Sequence, residues 1–299
     1  MIGTKVLQHL ERMESKKALE HRMAGRMVAV NNTKAFVYEQ GEGTPVLCFH
    51  GVPASSFLYR KVIAELAKQG FRGISFDLLG TGLSDRPVNF EYTWSNQGQW
   101  CVELVQQLGL NKFHIVLHDI GGPIGCEVIA QLPEQVLSVT ILNTLLTNLD
   151  AFKKPFPMHF YESKGIGELM MRTTTGFLFH QLMRMRGVQN TSEFGIEDAR
   201  AYLHFLNGND KGRSFLKIMR SFEANAAKEA LYIGALRELE VPMQLVWGVN
   251  DQALTLEAYG KPLQRALGLP SITELPGKHF LQEDCYEEIA RLIVAQAQR

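Results

Sequence analysis

The chain has 299 residues, 45% of them apolar and 21% charged, the make-up of an ordinary globular protein. Thirty-one basic and thirty-one acidic side chains cancel to a formal net charge of zero, which argues against a nucleic acid or an anionic membrane held through bulk charge. Residues 1–25 carry too many charges for a signal peptide and no long apolar run follows, so a cytoplasmic location away from membranes is expected.

Residues 2–23 place Ile2, Val6, Leu7, Leu10 and Met13 at helical spacing between charges, the pattern of an amphipathic helix. Arg26–Val30 and Lys34–Glu39 then read as two strands joined by a tight turn at Asn31-Asn32. Val46–Phe49 is a short apolar strand ending in His50-Gly51-Val52-Pro53, and Ser55 to Gln69 has the apolar spacing of a helix. Gly73–Asp77 is the next strand. The glycine-rich stretch after it, residues 79–85, lacks the full dinucleotide fingerprint and is read as a loop. Trp94–Leu108 is helical, and the run from Phe113 onward is the most telling part of the chain.

That run, FHIVLHDIGGPIG over 113–125, begins as a buried β-branched strand and resumes as a helix beyond a pair of glycines. A strand turning sharply into a helix, with Gly121 just past the tip, is the local pattern of a nucleophile elbow. The tip residue is Asp119, where the better-known version carries serine. Val136–Asn143 is another strand, so residues 46–143 alternate strand and helix, which calls for a mostly parallel sheet with helices on both faces.

From 144 to 236 strand signals disappear and helical patterns rich in Met and aromatics take over, a segment too long for a plain loop and read as a helical cap. The expected organisation is therefore a core of 1–143 and 237–299 with the cap, 144–236, inserted between the halves. Met243–Trp247 resumes the sheet and leads to Asp251; Ser271–Leu275 is the last strand and leads to His279; a helix from Tyr286 to about Ala297 closes the chain. The four cysteines (Cys48, Cys101, Cys126, Cys285) lack CxxC spacing and are expected to be free thiols, with neither disulfide nor metal. No sequence feature asks for a cofactor.

Three reactive side chains, Asp119, Asp251 and His279, thus fall just past the carboxyl ends of predicted strands, the edge of a parallel sheet where ligands bind. Their order along the chain is that of the triad in α/β-hydrolases. The segments HGVP at 50–53, DLLGTGLSDRP at 77–87, HDIGG at 118–122, WGVND at 247–251 and GKHFLQED at 277–284 resemble the epoxide hydrolase and haloalkane dehalogenase branch of the α/β-hydrolase fold. The likeness covers about 26–143 and 237–299; the cap matches in character alone.

The resemblance implies a two-step hydrolysis. A carboxylate, already ionised at neutral pH, attacks a saturated carbon without prior deprotonation and leaves an alkyl ester on Asp119. His279, oriented by Asp251, then activates water against that ester, and the backbone N–H groups of Val52 and Ile120 form the oxyanion hole. Dehalogenases of the branch set a tryptophan after the nucleophile and commonly an asparagine after the HG pair; Ile120 and Val52 stand there and their side chains donate nothing to a halide. Epoxide hydrolases protonate the ring oxygen with cap tyrosines. Tyr161 lies at about the expected early position, whereas the region of Met219 to Phe222 has no tyrosine, leaving Tyr202 and Tyr232, or His159, His180 and His204, as substitutes. The cap's six methionines, Met158, Met170, Met171, Met183, Met185 and Met219, suit an adaptable apolar pocket.

The expected activity is hydrolysis of an apolar or aryl epoxide to a vicinal diol, with a small apolar molecule and water as partners. A dehalogenase-like hydrolase acting on an alkyl halide or strained lactone is the first alternative. A non-catalytic ligand-binding protein on the same scaffold is the second. Oligomeric state stays open, a homodimer included.

Overall fold

The computed structural model describes residues 15–298. Most of the predicted N-terminal amphipathic helix, including Ile2 to Met13, lies outside the described residues; what is described is α1, Lys16–Ala24, capped by the Ser15 hydroxyl accepting from the Ala18 N–H at 3.1 Å.

Eight strands form one sheet in the order β1-β2-β4-β3-β5-β6-β7-β8. They are β1 (Arg26–Val30), β2 (Thr33–Gln40), β3 (Pro45–Phe49), β4 (Arg72–Phe76), β5 (Phe113–Asp119), β6 (Val136–Thr144), β7 (Met243–Gly248) and β8 (Ile272–Leu275). β1 pairs antiparallel with β2 and β2 antiparallel with β4; every other pair is parallel. The β1–β2 turn is the predicted one, with Asn31 at φ 50°, a left-handed conformation that asparagine tolerates.

The sheet helices are α2 (Arg60–Lys68), α3 (Trp94–Gln107) and α4 (Gly121–Gln131). A 3₁₀ turn, Ser56–Tyr59, precedes α2, so the helix predicted from Ser55 starts with a tighter turn. From β3 the chain steps to β4 on one side, while β5 to β6 steps the other way. Right-handed crossovers therefore put α2 and α4 on opposite faces of the sheet. The gap between β3 and β5 is the switch point of the topology, the place where loops from two strands diverge and leave a crevice.

Between β6 and β7 no strand occurs among the described residues. The chain forms α5 (Ile166–Thr173), α6 (Gly176–Leu182), a π-helical turn Met183–Gly187, α7 (Ile196–Asn207), α8 (Arg213–Met219) and α9 (Ala226–Glu238). α9 packs on α4 and on α10 (Lys261–Leu267), beside the sheet. Two more helices end the chain: α11 (Leu281–Asp284) and α12 (Tyr286–Ala297), the latter packed on α2. No described helix is long and apolar enough to cross a membrane, and Cys48, Cys101, Cys126 and Cys285 are free thiols.

Candidate active site

β5 is buried at all seven positions, and its register with β6 slips between Leu117 and Asp119, so the strand ends on an irregularity. Asp119 sits there at φ 51°, a left-handed backbone rare outside glycine. The surroundings leave no room for relaxation. A Cβ on Gly51 would lie 2.0 Å from Asp119 Oδ1, and one on Gly121 would lie 2.6 Å from the His50 carbonyl oxygen. Thr144 Oγ1 donates to the Asp119 carbonyl at 2.6 Å and holds the tip to β6.

The carboxylate is buried, and Oδ1 accepts from the Val52 N–H at 2.7 Å. The Ile120 N–H also hydrogen-bonds this carboxylate. Both backbone donors expected from the sequence thus converge on one side chain, one from each wall of the β3–β5 crevice. Oδ2 faces the His279 imidazole, 3.5 Å from Nε2.

His279 Nδ1 donates to Asp251 Oδ2 at 2.8 Å, and the His279 carbonyl accepts from His118 Nε2 at 2.8 Å. Asp251 is fully paired: Oδ1 accepts from the N–H groups of Ala253 (2.7 Å) and Leu254 (3.0 Å), and Oδ2 also accepts from Asn143 Nδ2 at 2.7 Å. Asn143 itself accepts from the Gly248 N–H at 2.7 Å, joining the ends of β6 and β7 beneath the acid. Nothing in the local sequence marked this asparagine beyond its place at the carboxyl end of a strand.

Burial alone would lower the His279 pKa, but the Asp251 charge, then the hydrogen bonds and charge of both aspartates, push it up to about 10. Burial alone would raise Asp119, and the His279 hydrogen bond and charge hold it below its usual value. Asp251 is held low in the same way, against its burial, by His279 and Asn143. The two carboxylates thus favour the charged imidazole, and the imidazole favours both carboxylates. Burial lowers both His50 and His118, the latter to about 4. His50 serves the loop, bonding the Gly51 carbonyl through Nδ1 and accepting from the Leu78 N–H through Nε2.

Above the carboxylate lies a cavity of about 130 Å³, walled by the core loops and the helical insert. The lining is mostly apolar, with Asp119 and His279 on the floor and Phe152, Met158, Phe215 and Phe222 among the roof residues. Of the six cap methionines, Met158, Met183 and Met219 line it; Met185 is exposed instead. Tyr161 lines the roof, buried, with its ring against Phe215 and its hydroxyl hydrogen-bonded to Thr174.

Tyr202 and Tyr232 are not at the cavity. Tyr202, whose ring packs on Phe280, donates to Glu283 Oε1 at 2.7 Å, and Tyr232, on α9, donates to Glu127 Oε1 at 2.9 Å beside the sheet. Both hydroxyls are taken by buried carboxylates, which removes them as roof acids. His159, His180 and His204 do not line the cavity either. The polar lining that the sequence did not single out is Lys154, whose side chain is 7% exposed and whose ammonium lies 3.9 Å over the Phe222 ring, with Arg186 and Gln252.

The profile of the alpha/beta hydrolase fold family matches residues 44–285. A haloalkane dehalogenase of Psychrobacter cryohalolentis is 37% identical over 259 residues, 85% of this chain and 83% of that protein. Epoxide hydrolase 1 of Caenorhabditis elegans is 26% identical over 265 residues, 83% of this chain and 64% of that protein. Among solved structures, the haloalkane dehalogenase DbeA of Bradyrhizobium elkani superposes with a TM-score of 0.76 at 21% identity, covering 92% of this chain and 98% of that one.

Proposed function

Because the chain belongs to the α/β-hydrolase fold family, in the branch of the epoxide hydrolases and haloalkane dehalogenases, we propose that it hydrolyses an apolar or aryl epoxide through an ester on Asp119. The observation that carries this reading is the buried Asp119 carboxylate, with Oδ1 on the Val52 N–H at 2.7 Å and Oδ2 at 3.5 Å from His279, under an apolar roof bearing the Tyr161 phenol.

Asp119 Oδ2 attacks a ring carbon, the ring C–O bond breaks, and the departing oxygen takes the Tyr161 proton. Oδ1 becomes the ester carbonyl oxygen, already seated on the Val52 N–H. Alkylation cancels the Asp119 charge, one of the causes that keep His279 protonated. The imidazolium then gives up its proton to solvent more readily, so the first step prepares the base needed for the second. Neutral His279 Nε2 takes a proton from water, and the hydroxide attacks Asp119 Cγ. The negative charge collects on Oδ1 against the Val52 and Ile120 N–H groups, a pair in which each donor is worth roughly a hundred- to a thousand-fold in rate. Collapse of the adduct expels the diol and restores the carboxylate, and the Tyr161 phenolate regains its proton from solvent.

The reading of the same site as a haloalkane dehalogenase is supported by the 37% identity to a protein of that name. Against efficient halide release, positions 52 and 120 carry Val and Ile, and no tryptophan lines the cavity among the described residues. Intact-protein mass of His279→Gln decides between them, since that variant accumulates any ester it forms. An aryl epoxide should add its whole mass. A gain equal to a haloalkane less its hydrogen halide, with none from epoxides, would transfer the assignment to dehalogenation, and no adduct from either would remove the Asp119 ester.

A further inference from the structure

The loop that carries His279 is held by the helical insert as well as by the sheet, where His118 donates to the His279 carbonyl and the Asn250 N–H to the Gly277 carbonyl. On the residue after the histidine, the Phe280 N–H donates to the Gly187 carbonyl at 2.8 Å. On the residue before it, Lys278 donates its ammonium to the Arg184 carbonyl at 2.7 Å, and its backbone N–H faces the Asp284 carboxylate and favours that charge. The same Asp284 carboxylate accepts from the N–H of Gln189 (2.9 and 2.7 Å) and of Asn190 (2.7 Å). Asp284 is therefore a bolt between the peptide preceding the histidine and the insert segment that follows the π-helical turn. That turn lines the cavity through Met183, Arg186 and Gly187, and Phe280 lines it from the other side. One residue earlier, Glu283 takes the Tyr202 hydroxyl and two bonds from Arg60, at 2.5 and 3.0 Å, which anchors the far end of the loop.

We propose that Asp284 is a positioning residue for His279, through which the cavity wall of the insert sets where the imidazole stands. The inference rests on the two-step reading above. Its consequence is specific to one step. Attack by Asp119 needs no base, whereas attack of water on the ester needs the imidazole in line with water and Cγ. Misplacing a catalytic group by about 1 Å costs on the order of a hundred-fold. A loosened loop therefore slows release of the ester and leaves its formation alone.

The test uses the full chain with Asp284→Asn, which keeps the shape, and Asp284→Ala, which keeps no acceptor. Quenched single turnovers with an aryl epoxide, read by intact mass, should show ester formation within about two-fold of the parent and ester hydrolysis slowed about 10- to 100-fold. The ester would then be visible without any change at His279, and Asp284→Glu should restore part of the rate. Independently of any substrate, proton NMR should show the downfield His279 Nδ1–H resonance of the Asp251 hydrogen bond broadened by exchange in Asp284→Ala. An unchanged resonance in both variants overturns the proposal, as does equal slowing of both steps. If His279→Gln captures no electrophile, the ester reading is what fails, and the resonance alone decides the positioning; if Asp284→Ala does not fold, Asp284→Asn carries both measurements.

Discussion

At the scale of single residues, the site is governed by how charge is shared around one imidazole. Asp119 and Asp251 both raise His279, so removing either charge has a definite sign. Asp119→Asn imitates the neutral ester in shape and charge. Its His279 should titrate below the parent's value of about 10, by NMR of the ring protons, and the variant should hydrolyse no substrate. An unmoved titration would mean that Asp119 does not hold the proton on His279 and that alkylation prepares no base. Asn143 completes the acid's shell with a donor at 2.7 Å, and Asp251 thereby spends no oxygen on an unpaired buried lone pair.

At the scale of elements, the insert is joined to the core by buried charge as well as by apolar packing. Arg60, at the start of α2, reaches Asp198 on α7 at 2.9 Å and Glu283 on α11 at 2.5 and 3.0 Å, while its guanidinium lies 3.9 Å over the Phe57 ring. Lys17 on α1 adds a bond of 2.6 Å to Asp198. Such a cluster is weak evidence for net stability, because desolvation offsets much of the attraction, but removing one partner strands the others. Arg60→Ala should lower the unfolding free energy by about 3 kcal/mol, the low end of the usual range since Lys17 and Lys61 remain beside the carboxylates. Urea unfolding measures it, with Arg291→Ala, from an exposed pair with Glu288, expected to leave the midpoint unchanged. A shift for Arg60→Ala no larger than for Arg291→Ala would show that the cluster does not hold the insert.

At the scale of the whole molecule, buried histidines of opposite kind set the pH of greatest stability. Burial lowers His21 to about 3 and His118 to about 4, so between those values and 6.5 the unfolded chain binds protons that the folded one refuses. Their contribution is present above pH 6.5 and lost as the pH falls through that window. His279 is raised to about 10, so its contribution is full below 6.5 and lost as the pH rises through about 10. The two limbs meet near pH 6.5, where the urea midpoint should be highest, and His118→Gln should flatten the acid limb. A midpoint constant from pH 6.5 down to 4.5 would show that these imidazoles are not held neutral.

Much of this protein was legible in the chain because it is written locally. The hairpin at Asn31, the strand–glycine–helix pattern around Asp119, and the placing of Asp251 and His279 after apolar strands each depend on a few consecutive residues whose backbone preference and apolar period agree. What the tertiary structure alone decided is which distant groups meet. Tyr161, Tyr202 and Tyr232 look alike as cap residues, yet Tyr202 finds Glu283, 81 positions away, and Tyr232 finds Glu127, 105 away, while Tyr161 faces the cavity. The same holds for Asn143 beneath Asp251 and for Asp284 across Lys278 and Gln189. Such pairings come from how helices and loops pack once the sheet is made, and hydrogen-bond partners chosen by packing leave no period, cap or turn in the sequence to announce them.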